Sequence, residues 1–212
     1  MTTATRVSAG SAFGLTGLLF FSHALNDSFS SMLSVLLPSL QIRFGLTETA
    51  LALLVAVLSF STSVTQPIFG NLVDRYGRRL MASVGIATSS VLLSLMAVAP
   101  SPLLLMLILA FGGLGSAAFH PAGTGIARAL GGGRAGLAVS LFSAAGTFGL
   151  AMGPLVIGWL LMRDALSFSP LLMLPGLLSA LLLYRAIPAE PPRNPDAPRR
   201  RLFDVSLLRG PV

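Results

Sequence analysis

The chain has 212 residues, is 54% hydrophobic and only 10% charged, and has a mean hydropathy of +0.84. A soluble domain carries about 25% charge, so these proportions favour about six lipid-crossing segments of some 20 residues over a soluble fold. The net charge is +7, every basic residue is arginine, and there is no cysteine, which removes disulfides, thiolate metal sites and thiol catalysis.

The expected fold is all-α, because lipid offers backbone polar groups no partner outside a helix. Spans are predicted at residues 12–40, 48–70, 79–99, 103–127, 136–161 and 168–187, separated by charge, glycine or proline. Residues 1–11 form a short N-terminus. Its apolar continuation is too long for a signal peptide and carries His23, Asn26 and Asp27, so a retained first helix is expected.

At 100° per residue, Thr16, His23, Asn26, Asp27, Ser30 and Ser34 fall in one sector about 100° wide. A polar sector on a spanning helix faces protein or a wet cavity. Asp27 is the one acidic residue in the interior of a predicted span. Burial disfavours a charged carboxyl, so Asp27 is a candidate to load and release a proton. The plainer alternative is that Asp27 and His23 bond neighbouring helices.

The second span places Ser59, Thr62, Ser63, Gln66 and Gly70 on one side, with Pro67 expected to kink it. Residues 70–79 then hold Asp74, Arg75, Arg78 and Arg79 between Gly70 and Gly77, too much charge for hydrocarbon. A short wet turn is expected there, with Gly77 able to end a helical turn.

The third span shows scattered serines and the sixth mostly leucine and proline; both are expected to face lipid. The fourth brings His120 next to Pro121, where the helix ladder loses a bond, a candidate proton or ligand contact. The fifth sets Ser140, Ser143 and Thr147 on one face and Gly146, Gly149 and Gly153 on another, a groove for a second helix. The order polar, polar, bland repeats once, which suggests two three-helix units.

Twelve arginines fall at one end of this arrangement and only Arg43 and Arg163 at the other. By the positive-inside rule both termini are cytoplasmic. Arginines spread over helix ends and tail are not a nucleic-acid footprint, so no nucleic-acid partner is expected. Residues 188–212 read as a solvated Pro- and Arg-rich linker, with 202–208 able to form a short interfacial helix.

The sequence Gly70-x-Leu72-x-Asp74-Arg75-x-Gly77-Arg78-Arg79 resembles the signature between helices two and three of the major facilitator superfamily. Gly149-x-x-x-Gly153-Pro154 resembles the fifth-helix motif of its proton-coupled antiporters. Three further stretches resemble its fosmidomycin-resistance efflux branch: Ser22 to Asp27, Phe119-His120-Pro121 with Ala127-Arg128, and Gly132-Gly133-Arg134 with Gly136-Leu137-Ala138.

The resemblance implies export of a drug or metabolite from the inner membrane, driven by the proton gradient without a cofactor. It implies that His23, Asp27 and His120 line a central cavity and that Arg134 sits at its cytoplasmic mouth. It also implies that Asp74 and Arg75 gate the inner end. That family has twelve helices; this chain has six, so a second six-helix half is the expected partner, and the fifth-helix groove is expected to lack its mate. The chain stops where a seventh helix would start, which favours a fragment over a split half or a homodimer. A non-transporting membrane partner is the alternative. Two histidines, one interior aspartate and no H-E-x-x-H motif speak against an intramembrane enzyme, so no catalytic residue or metal site is expected.

Overall fold

The structure, a computed structural model, describes residues 9–189, with side chains from residue 13 onward. The expectations for residues 1–8 and for the linker beyond residue 189 lie outside the described residues. All regular structure among the described residues is helical.

Helix α1 (Ala9–Phe44) ends at Gly45, whose φ of +63° turns the chain. The Thr47 hydroxyl then accepts from Ala50 N at 3.2 Å and caps α2 (Glu48–Ser59). A π-helical turn (Phe60–Val64) leads to α3 (Gln66–Tyr76), and the two halves are bent by 41°. The bend starts one turn before Pro67, which sits in the first turn of α3 where its missing N–H costs little. Thr65 Oγ1 donates to Ser61 O at 2.6 Å and Gln66 Nε2 to Thr62 O at 2.9 Å, satisfying carbonyls that the π turn leaves short.

The wet turn expected over residues 70–79 is corrected. Helix α3 runs to Tyr76 and α4 (Arg78–Ser94) restarts one residue later, so the turn is Gly77 alone, at φ 88° and ψ 150°. Charge ends a membrane span, but it does not end a helix that continues into water.

After a 3-10 turn (Met96–Val98), the Ser101 hydroxyl and Pro102 start α5 (Pro102–Gly131). This helix runs through Pro121 without a break, so the interruption expected beside His120 is a single missing bond. Gly132 (φ +50°) turns the chain through a 3-10 segment (Gly132–Arg134) into α6 (Ala135–Met162). A 3-10 segment (Leu166–Leu172) precedes α7 (Met173–Ala186).

By length and hydropathy, three described segments could cross a membrane: Arg78–Val98, Pro102–Met162 and Leu166–Ala186; the bent α2–α3 pair would make a fourth. Pro102–Met162 contains both α5 and α6, which fold back antiparallel. A Cβ on Gly123 would meet Phe142, and one on Gly131 would meet Ala138. Helix α1 is not among these segments, because its polar stripe offsets its leucines and phenylalanines.

Two apolar clusters divide the interior. One holds Phe29, Leu33, Leu36, Leu54, Leu93, Leu109 and Ile157. The other holds Leu19, Ile86, Phe119, Ile126, Phe142 and Leu183. Between them, on α1, α4 and α5, lies a polar layer of Ser22, His23, Asn26, Ser89, Ser90 and Ser116. The outer surface is greasy, with Phe111, Phe148, Leu155, Trp159 and Leu178 all more than half exposed, as lipid contact requires.

The expectation that the third helix faces lipid is corrected. Helix α4 buries Ser83, Gly85, Ile86, Ser89, Ser90 and Leu93, and 61% of its apolar window is covered, against 28% for the α7 segment. A Cβ on Gly85 would lie 2.7 Å from Phe119 N, so α4 and α5 touch backbone to backbone. The α6 groove is not empty either. Gly146, Gly149 and Gly153 press against His23, Ala24 and Ser28 of α1, which runs parallel to α6 and fills it. Its mate is in the chain, four predicted segments earlier.

Candidate functional site

The polar layer converges on Asp27. Its Oδ2 lies 3.2 Å from His23 Nε2, one helical turn away, and its Oδ1 lies 3.3 Å from His120 Nε2 across the α1–α5 contact. The carboxylate is therefore held between two imidazoles, with side-chain exposures of 6% for His23, 13% for Asp27 and 23% for His120. The sequence places His23 and Asn26 on the same face of α1 as Asp27. The structure gives it three polar neighbours, since Asn26 Nδ2 also donates to Oδ1 at 3.1 Å.

Asn26 is fully buried and ties three helices. Its Nδ2 donates to Ser116 Oγ of α5 at 2.8 Å, and its Oδ1 accepts from Ser89 Oγ of α4 at 2.8 Å. Ser116 Oγ also lies 3.3 Å from His120 Nε2, so the Asn26 network reaches the second imidazole. His23 is fixed from α6. Its ring stacks on Phe142 (centroids 3.9 Å apart, planes 19° from parallel), and its Nδ1 donates to the Phe142 carbonyl at 2.7 Å. A carbonyl oxygen only accepts, so the proton is on Nδ1.

A cavity of about 950 Å³ opens beside this cluster, lined by Gln66, Asn71, Asp74, Arg78, His120 and Arg128 among others. His120 lines this cavity; His23 and Asp27 are not among its lining residues. Gln66, Gly70, Asp74 and Arg78 of the proposed pathway and gate share its wall. Arg134 is exposed on the α5–α6 turn and is not part of this wall. Arg78 Nη1 donates to Gly125 O at 3.0 Å and so fastens the start of α4 to α5. Arg75 lies over Tyr76 and Arg79 over the Tyr184 ring of α7. At the opposite end Arg43 donates to Ala97 O at 2.8 Å, and Arg163 lies over Trp159.

Ser89, Ser116 and Phe142 were not singled out from the sequence. Ser116 could have been, since it stands one turn before His120 on the same face. Ser89 and the Phe142 carbonyl have no sequence signal, because only tertiary packing brings them to α1.

The sequence profile described as Major Facilitator Superfamily matches residues 19–211. The chain belongs to the Major Facilitator Superfamily. Within this superfamily it is similar to the fosmidomycin resistance protein of Escherichia coli (strain K12), 35% identical over 72% of this chain and 38% of the relative. It is also similar to the MFS-type transporter YfnC of Bacillus subtilis (strain 168), 35% identical over 66% of this chain and 34% of the relative. A probable L-galactonate transporter of Escherichia coli (strain K12) is 29% identical over 67% of this chain and 33% of the relative. The superfamily resemblance and its fosmidomycin-resistance branch are thus upheld, and the chain spans about a third of the length of these relatives.

Proposed function

We propose that the chain is the N-terminal, six-span half of a proton-coupled secondary transporter that exports a drug or small metabolite. Its spans are α1, α2–α3, α4, α5, α6 and α7, arranged as two three-helix units whose first helices carry His23 and His120. The segregation of arginines supports an inner-membrane orientation with both termini cytoplasmic, leaving Arg43 and Arg163 outside. A second six-helix half, from the same gene, a separate chain or a second copy, completes the cavity. The coverage of about a third of each relative supports a need for such a half. For the same reason the chain alone reads as a fragment that does not transport.

The observation that carries this proposal is Asp27 held between His23 and His120 in the polar layer between the two apolar clusters. An acidic group there is costly, and its usual use is a proton relay. His120 reaches the cavity and Asp27 lies one contact behind it, so a proton passes from water through His120 to the carboxylate. Substrate then exchanges against that proton as the two halves rock about the polar layer. Asp74, Arg75, Arg78 and Arg79 close the inner end against the second half.

Fosmidomycin is the probe, from the name of the similar Escherichia coli protein. Inverted vesicles from cells producing a full-length transporter with this half should accumulate labelled fosmidomycin, and a protonophore should abolish the uptake. Uptake that ignores the protonophore contradicts proton coupling. No uptake of fosmidomycin together with gradient-driven uptake of another probe would change only the substrate.

A further inference from the structure

We propose that His23, Asp27 and His120 form a binding site for one divalent cation of the zinc class. This goes beyond the transport proposal and does not rest on it. The sequence offers no metal motif because the ligands come from two helices, with His120 ninety-three positions after Asp27.

The geometry is close to what a tetrahedral ion needs. Zinc binds imidazole nitrogen and carboxylate oxygen at about 2.0–2.2 Å, which puts neighbouring ligand atoms about 3.3 Å apart. Asp27 Oδ2 lies 3.2 Å from His23 Nε2 and its other oxygen, Oδ1, 3.3 Å from His120 Nε2; one ligand atom from each of the three residues lies within 4.8 Å of the others, so the three would close in by about an ångström around one ion. Two imidazoles and a carboxylate suit zinc and its neighbours, whereas magnesium and calcium prefer oxygen alone.

A second, independent observation points the same way. His23 Nε2 is buried without a hydrogen-bond partner. Its Nδ1 proton is committed to the Phe142 carbonyl, so a neutral ring directs an Nε2 lone pair towards Asp27 Oδ2. Two acceptors 3.2 Å apart repel unless an electropositive centre, a proton or a metal ion, is shared between them. An Nδ1–H donated to a backbone carbonyl is also how proteins usually orient a metal-binding histidine. The stacking on Phe142 fixes the ring plane, and Asn26 holds the carboxylate through Oδ1. His120 also lines the cavity, which leaves room for water or a ligand group as a fourth ligand.

The test uses the untagged chain purified in detergent and zinc chloride alone. This chain contains only two histidines and no cysteine, so a bound zinc with two imidazole ligands can only be here. One zinc per chain is expected, with an X-ray absorption spectrum fitting two imidazoles and carboxylate oxygen. His120→Gln and Asp27→Asn should each weaken binding by at least about 10–100-fold while the helical circular dichroism stays intact. His120 is the most exposed of the three, which makes its variant the safer probe if Asp27→Asn fails to fold. No stoichiometric zinc on the folded wild type overturns the proposal. So does zinc that binds equally well to the His23→Gln/His120→Gln double variant. Zinc and the coupling proton would compete for His120 and Asp27, so the fosmidomycin assay is run without added metal and tests the transport proposal separately.

Discussion

Gly149 of α6 rests against the backbone carbonyl of Ala24 in α1, with no room for a Cβ between them. Gly153 makes the same approach to the Ser28 carbonyl, while Gly146 faces the side chains of Asp27 and His23. The contact brings α1 close enough to α6 for His23 to reach both the ring and the carbonyl of Phe142.

Gly149→Ala should therefore destabilise the bundle. Alanine in a helix gains about 1 kcal/mol over glycine, but overpacking costs about 1–3 kcal/mol when the neighbour cannot yield. Here the neighbour is backbone, so the cost should win. Gly158→Ala meets only Val35 Cγ1 at 3.8 Å and should be neutral or stabilising. Thermal unfolding of the two variants in detergent checks the contrast; equal melting temperatures would contradict the seam.

Two glycines of the charged stretch should behave oppositely. Gly77, at φ 88° and ψ 150°, occupies a region essentially closed to other residues. Gly77→Ala should cost about 1–3 kcal/mol. Gly70 lies inside α3 with open space at its Cβ position, so Gly70→Ala should gain up to about 1 kcal/mol. Chemical denaturation of both variants measures the difference in sign.

Asn26→Ala should be more damaging than Ser89→Ala. The first breaks bonds to Asp27, Ser89 and Ser116 at once, and the second breaks the Asn26 bond and one to Ile86 O. Membrane hydrogen bonds average about 0.6 kcal/mol each, and a buried group left unpaired costs about 1–3 kcal/mol. The ordering is read from detergent unfolding, and similar losses for the two variants would contradict the role of Asn26 as the common node.

Much of this was legible in the chain. The stripe on α1 was readable because His23, Asn26 and Asp27 share a face at 100° spacing, and that geometry is local. The small-residue face of α6 was readable as a seam, but its mate was not: periodicity shows which face is used and never against what. The same limit hid the burial of α4, whose Ser89 and Ser90 look like idle polarity until α1 and α5 are beside them. The helix through Asp74 and Arg75 is not legible from composition, because dense charge marks the end of a span and not the end of a helix. At the π turn Phe60–Val64, Thr65 and Gln66 cap carbonyls four residues back, a local side-chain arrangement that apolar spacing does not announce.

The most direct measurement is made on Asp27→Asn in a full-length transporter carrying this half, reconstituted with fosmidomycin inside and out. Asparagine keeps the size and one accepting oxygen but cannot load a proton. Uptake driven by an imposed pH gradient should be lost, while fosmidomycin exchange without a gradient persists. Gradient-driven uptake at the wild-type level would contradict Asp27 as the coupling site.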